Sequence, residues 1–303
     1  MSNFLRENFT SCTHKRIVSQ IRWGLGNQLF QFCNGYALAH KLSLPLDIDT
    51  TWFNQKSTNE TIRKLKVLQL LPRQFYRKEI SRTYPTVITD KILRALSFRK
   101  QRYMHGLPVW GSGSNLTVPF SDVGHPVCLS GVNADYRNIE PVWNHISGAM
   151  RPKLRQALPP NLFGTSYAFV HVRRGDLLTD PKAKKKMRLL DREYYSAAMK
   201  RAEHVLGRMT WVACSDEPNL TQSLLPTGFK IKISPGQDEI EDLAIMAYSS
   251  GGVISNSTYA LWGGLLCGMT GSTVVGPACW TNNGQWGPPG RDRPTYPAHW
   301  TEI

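Results

Sequence analysis

From residue 167 onward the chain alternates between short runs rich in β-branched and aromatic residues and longer amphipathic stretches. Strand-like runs fall at 167–172, 211–214, 229–233, 253–255 and 273–275. Between them lie helical stretches at 194–206, 239–249 and 259–267, the middle one carrying Ile240, Leu243, Ala244 and Ala247 on a single face. Strands separated by helices of this length pair in parallel, and both faces of the sheet are then covered by helices.

The first half opens the same way. A strand at 17–21 runs into the turn Trp23-Gly24-Leu25-Gly26, and a helix starting at Asn27 repeats Leu29, Cys33, Tyr36, Ala37 and His40 at helical spacing. With a further strand at 44–48 this makes a strand–glycine turn–helix–strand unit, the start of a Rossmann-like half. Residues 50–127 read as irregular helices and loops, and 127–132 as a closing strand. A chain of 303 residues exceeds the usual size of one core. A boundary is expected within 152–160, where Pro159-Pro160 stiffens the connection, giving domains 1–155 and 156–303. The expected architecture is α/β: two Rossmann-like domains facing each other, with an ordered Gly/Pro/Trp-rich tail over 280–303.

A net charge of +15 directs attention to anionic partners: nucleic acid, a phosphorylated donor or an acidic membrane surface. The six cysteines form no CxxC pair and no zinc-like spacing with histidine, and Cys33, Cys214 and Cys267 fall in expected helices or strands as small apolar residues. No stretch is long and apolar enough to span a bilayer, and residues 1–16 are polar where a signal peptide would be apolar. The sequons at Asn8, Asn59, Asn115, Asn219 and Asn256 then count only as tripeptides. A reduced, cytosolic setting is expected.

Three segments stand where a parallel sheet presents its ligands. His171-Val172-Arg173-Arg174-Gly175-Asp176 delivers two cations to a strand end. Arginine grips a phosphate bidentately, but an Arg-Arg pair also serves surface ion-pair networks. Successive residues point to opposite sides, so one arginine is expected to meet a ligand and the other to pair with an acid. Gly24-Leu25-Gly26-Asn27-Gln28 lets a ligand approach the backbone or simply packs tightly, and it lacks the third glycine of a dinucleotide fingerprint. Ser255-Asn256-Ser257-Thr258 caps a helix, donates to a phosphate, or does both. Ser215 and Asp216, after another strand, hold a ribose or cap a helix, and Asp242 accepts from a purine or stays solvated. The run Lys182, Lys184, Lys185, Lys186 and Arg188 is a solvated face or a lid that steers an anionic donor.

Together these segments resemble the inverting α-1,2-fucosyltransferases, which share short motifs with α-1,6- and protein O-fucosyltransferases. His171 to Asp176 is similar to the family's H-x-R-R-G-D, and Gly24 to Gln31 to its G-x-G-N-Q-x-F-Q. Ser255 to Thr258 followed by Trp262-Gly263 is similar to its late element; Tyr194-Tyr195 and Ser215-Asp216 match in order. The chain departs at Leu177, where the family often has an aromatic residue, and matches only loosely at 131–136.

The resemblance implies a GT-B fold with GDP-fucose in the C-terminal domain and acceptor binding on the N-terminal one. It implies Arg173 on the β-phosphate, His171 and Asp242 facing guanine, and Ser257 and Thr258 on the phosphates, with Asn256, Ser215, Asp216 and Gly26 also in the donor site. Asn27 would reach the reaction centre across the cleft. Neither metal nor resident cofactor is implied. The reaction implied is single displacement with inversion, onto the 2-hydroxyl of a terminal β-galactoside. Asp176 is a candidate base, with helix capping or arginine pairing as its alternatives. Two rival readings stand beside this one: a GT-B transferase using another donor, and a polyanion- or nucleic-acid-binding protein, against which stands the lack of a basic recognition helix, finger or aromatic stripe. A bacterial enzyme, cytoplasmic or peripheral on an anionic inner membrane, is expected; a truncated Golgi enzyme is the alternative.

Overall fold

The computed structural model describes residues 15–54, 63–81, 103–104, 107–110, 127–235, 238–268, 271–285 and 293–303. Cys12, the sequons at Asn8, Asn59 and Asn115, and part of the expected tail lie outside them. The chain divides into two compact units, Met1–Ile146 and Ser147–Ile303. Each is α/β around a six-stranded, mostly parallel sheet, as the sequence led one to expect.

In the first unit, β1 (Ile17–Gln20) pairs in parallel with β2 (Leu46–Asp49) on one side and β6 (Val127–Leu129) on the other. The sheet continues outward through β3 (Lys78–Ile80) beside β2 and β5 (Leu107–Trp110) beside β6, and β4 (Tyr103–Met104) closes the edge antiparallel to β5. The expectation of only helices and loops across 50–127 is therefore corrected: β3, β4 and β5 lie there. They have two to four residues each, too few for an alternating pattern to show.

Helix α1 (Leu25–Leu42) starts two residues before the expected Asn27. Trp23 takes a positive φ of 68°, turning the chain sharply from β1 into the helix. Gln28 locks that turn. Its amide donates to the carbonyls of Trp23 and Lys64 at 2.7 and 2.8 Å, and its oxygen accepts the Lys66 and Val67 N–H groups at 2.9 and 3.1 Å. The short helix α2 (Val67–Leu70) follows, and helix α3 (Trp143–Ala157) carries the chain through the division between the units.

The second unit orders its strands β12-β11-β10-β7-β8-β9. They are β7 (Ala168–Val172), β8 (Thr210–Ser215), β9 (Lys230–Ile233), β10 (Gly251–Val253), β11 (Thr273–Gly276) and β12 (Thr301–Glu302), all paired in parallel. Counted from β7 this is the doubly wound order 3-2-1-4-5-6, whose direction reverses between β7 and β10. Around it run α4 (Gly175–Thr179), α5 (Pro181–Lys186), α6 (Arg192–Leu206), α7 (Pro218–Leu224), α8 (Glu239–Ala247) and α9 (Thr258–Gly268). Helix α6 buries Tyr195, Ala198, Met199 and Ala202 in one core cluster with Ala168, Val170 and Val172 of β7, Val253 of β10 and Val275 of β11. Each large side chain buried this way stabilises the unit by about 1.5–3 kcal/mol. At the reversal, the Phe169 ring lies over Gly252, where any Cβ would stand 2.2 Å from the ring. That contact fixes how closely β7 and β10 approach.

Candidate functional site

In open α/β sheets ligands bind outside the carboxyl ends of the strands where their order reverses. In the second unit those ends are His171 to Asp176, after β7, and Ser255 to Thr258, after β10. His171 Nδ1 and Ser255 Oγ are 2.8 Å apart, joining the two segments across the reversal, and both residues are buried. The Tyr259 ring stands edge-on to the imidazole with centroids 5.6 Å apart. Burial lowers the His171 pKa to about 4, against the pull of Asp216 in the opposite direction, so the ring is neutral near pH 7.

Arg173 lies half-buried at the centre of this edge. Its Nε and one terminal nitrogen donate to the two oxygens of Asp176 at 3.1 and 2.7 Å, and its other terminal nitrogen donates to the Asn256 carbonyl at 2.8 Å. Arginine carries five N–H donors in a rigid fork, so one N–H on each terminal nitrogen remains available to an anion.

Arg174 is buried and turns inward. Its side chain donates to the carbonyls of Leu190 and Arg173. The expected division of labour is thus corrected in one respect: the arginine that pairs with an acid is Arg173, while Arg174 binds main-chain carbonyls. The Arg174 N–H donates to Asp216 at 2.8 Å. Gly175 makes room for that carboxylate, because a Cβ there would lie 2.7 Å from Asp216 Oδ2.

Asn256, 1% exposed, ties three segments together: its amide donates to the carbonyls of Arg188 and Trp280, while its own carbonyl receives Arg173. Ser257 precedes α9 and its hydroxyl accepts the Tyr259 N–H, as a helix cap does; Thr258 is the first helical residue. Ser215 accepts the Glu217 N–H.

Asp242 lies buried in the first turn of α8 and accepts a hydrogen bond from Ser234, which follows β9. Burial pushes its carboxyl up to about 6, with the Ser234 hydrogen bond opposing the shift. Ser234 and Tyr259 carry no mark of this site in the sequence, whereas Tyr194, whose hydroxyl donates to the Ile254 carbonyl at 2.6 Å, belongs to the Tyr194-Tyr195 pair of the resemblance. The available signal for Ser234 is its place directly after a strand, and Tyr259 reads as an ordinary core residue.

Gly26 and Asn27 belong to the first unit, in the first turn of α1. Its N-cap, Gly24, makes no side-chain cap bond and its first turn holds no acidic residue, leaving the positive helix end unopposed by side-chain charge from that turn. The run 177–191, expected as a long polar connection, holds the end of α4 and all of α5 and ends at Asp191, the N-cap of α6. Among the described residues no group of three or more His, Cys, Asp or Glu is placed to hold a metal ion.

Residues 162–300 match the family model for glycosyl transferase family 11. The O-antigen biosynthesis glycosyltransferase WbnK of Escherichia coli is 26% identical over 293 residues, covering 87% of this chain and 94% of that protein. An α-1,2-colitosyltransferase of Escherichia coli is 21% identical over 287 residues, covering 87% and 92%. Among solved structures, fucosyltransferase NodZ from Bradyrhizobium superposes with a TM-score of 0.44 at 13% identity, over 84% of this chain and 93% of that one. POFUT1 in complex with GDP superposes at 0.46 and 14% identity, over 87% and 98%.

Proposed function

We propose that this chain, whose residues 162–300 match the model for glycosyl transferase family 11, is a glycosyltransferase that transfers L-fucose from GDP-fucose to the 2-hydroxyl of a terminal β-galactoside with inversion. The observation that carries the reading is Arg173, held by Asp176 and Asn256 at the strand reversal with donors left over for a diphosphate. The acceptor oxygen attacks the anomeric carbon from the face opposite GDP. The bond from that carbon to the β-phosphate oxygen breaks, and its electron pair remains on the departing GDP. Negative charge therefore grows on the β-phosphate as the transition state forms, and a guanidinium already oriented there stabilises it more than it stabilises the bound donor.

Neutral His171 contributes a hydrogen bond rather than a charge to the donor, and Asp242 accepts from the guanine N–H groups. Ser257 and Thr258, at the start of α9, donate to the phosphates, with Ser215 and Asp216 nearer the ribose. Asp176 is committed to Arg173 and acts through it as a positioning residue. The acceptor proton is lost late, after the glycosidic bond has largely opened, so the step needs only a weak base. Gly26 and Asn27 enter the reading through the sequence resemblance alone. Arginine takes the place of a divalent cation, and the reaction proceeds without metal or resident cofactor.

The second reading, a different sugar nucleotide as donor, is motivated by the colitosyltransferase relative. A panel of GDP- and UDP-sugars against galactose-terminated oligosaccharides, with the product linkage read by NMR, tests both. An α-1,2-linked fucosyl product supports the proposal, and turnover of another donor with none of GDP-fucose overturns it.

A further inference from the structure

The basic run between α4 and α6 has no part in the reaction above. Lys182, Lys184, Lys185, Lys186 and Arg188 are all exposed. Leucines flank them: Leu178 on α4, which packs on α5, is 43% exposed, and Leu189 is 48% exposed. The two acids in 177–191 are turned onto main-chain N–H groups, Asp180 capping α5 at Lys182 and Asp191 capping α6 at Tyr194.

The backbone beneath these side chains is pinned. Asn282 donates from its side chain to the carbonyls of Lys184 and Lys185 and from its N–H to that of Lys186. Met187 is buried and bridges to Thr281, the Arg188 N–H donates to the Trp280 carbonyl, and the Asn256 amide donates to the Arg188 carbonyl. A fixed backbone thus carries exposed cations with exposed leucines on either side of them in the chain.

We propose that residues 177–191 form a docking surface for an anionic lipid bilayer, with the lysines on headgroup phosphates and Leu178 and Leu189 entering the acyl boundary. The leucines decide between partners. A nucleic acid or acidic glycan satisfies the cations but leaves both leucines in water, whereas a bilayer interface takes charge and apolar surface together. The overall charge of +15 adds long-range attraction to the same surface.

The test is co-sedimentation of the full chain with phosphatidylcholine vesicles, with and without about a third phosphatidylglycerol. The wild type is expected to pellet only with the anionic vesicles. Each cation near such a surface adds about fivefold, so K182E/K184E/K185E should bind on the order of a hundredfold more weakly. L178S/L189S should retain binding at low salt and lose at high salt the fraction that wild type keeps. Both variants should keep wild-type melting temperature and transfer to a soluble acceptor, which separates this proposal from the catalytic one. Equal vesicle affinity for wild type and the lysine variant overturns it, as does absence of wild-type binding. A leucine variant indistinguishable from wild type at every salt concentration also overturns it, leaving a general polyanion surface.

Discussion

Arg173 and Asp176, three residues apart, form a two-point ion pair at 3.1 and 2.7 Å, and the carboxylate is 36% exposed while it holds the guanidinium. An exposed pair of this kind adds little to stability. Its consequence is orientation, because the Asn256 carbonyl holds the same guanidinium from the other side. Arg173→Lys keeps the charge but cannot span both partners. Transfer should fall at least tenfold with melting temperature almost unchanged, as steady-state kinetics and calorimetry would show.

Asp176→Asn retains an acceptor for Arg173 but loses the charge. As a positioning residue it should cost about tenfold in kcat, with the pH profile keeping its shape. A loss beyond a thousandfold, together with disappearance of the acidic limb, would show it to be the general base.

If Asp242 accepts from guanine as proposed, donor binding is sensitive to pH. Its carboxyl, pushed up to about 6 by burial, must be ionised to accept from guanine. GDP affinity measured by calorimetry should therefore fall about tenfold per unit as the pH drops below about 6, and Asp242→Asn should bind more weakly but without that slope. For stability the sign is opposite. A carboxyl raised in the folded state penalises folding above about 6, and the penalty fades as pH falls toward the ordinary value of 3.8. Asparagine still accepts from Ser234, so the same variant should be more stable near neutral pH, by up to about 3 kcal/mol, and no more stable near pH 4.

His171 moves the other way. With its pKa lowered to about 4, it contributes stability that is fully present above the unfolded value of 6.5 and is lost as pH falls from there toward 4. The imidazole NMR signals should stay those of a neutral ring from pH 8 to about 5. Titration of His171 near 6.5 would contradict the buried bridge to Ser255.

Gly175→Ala tests the packing behind the arginines. The new Cβ would meet Asp216 Oδ2 at 2.7 Å and displace it from the Arg174 N–H. A loss of about 1–3 kcal/mol in chemical denaturation is expected.

Much of this was legible in the sequence because long-range order follows from local pattern. Strands β7, β8 and β11 carry apolar runs, helix α6 repeats its buried face at Tyr195, Ala198, Met199 and Ala202, and the segments at 171–176 and 255–258 fall where a doubly wound sheet presents them. What stayed illegible depends on side-chain direction. Adjacent arginines differ only in which way each turns, and only the fold shows that Arg174 reaches the Leu190 carbonyl while Arg173 meets Asp176. The short strands β3 to β5 exist because β2 and β6 offer open edges, a tertiary cause that no residue pattern of two to four positions records.

The most direct test is the rate of fucosyl transfer from GDP-fucose by Arg173→Ala, measured beside its GDP affinity. If Arg173 stabilises charge on the departing diphosphate, kcat should fall by at least about a hundredfold, a larger loss than in GDP affinity. Transfer at close to the wild-type rate would contradict the account.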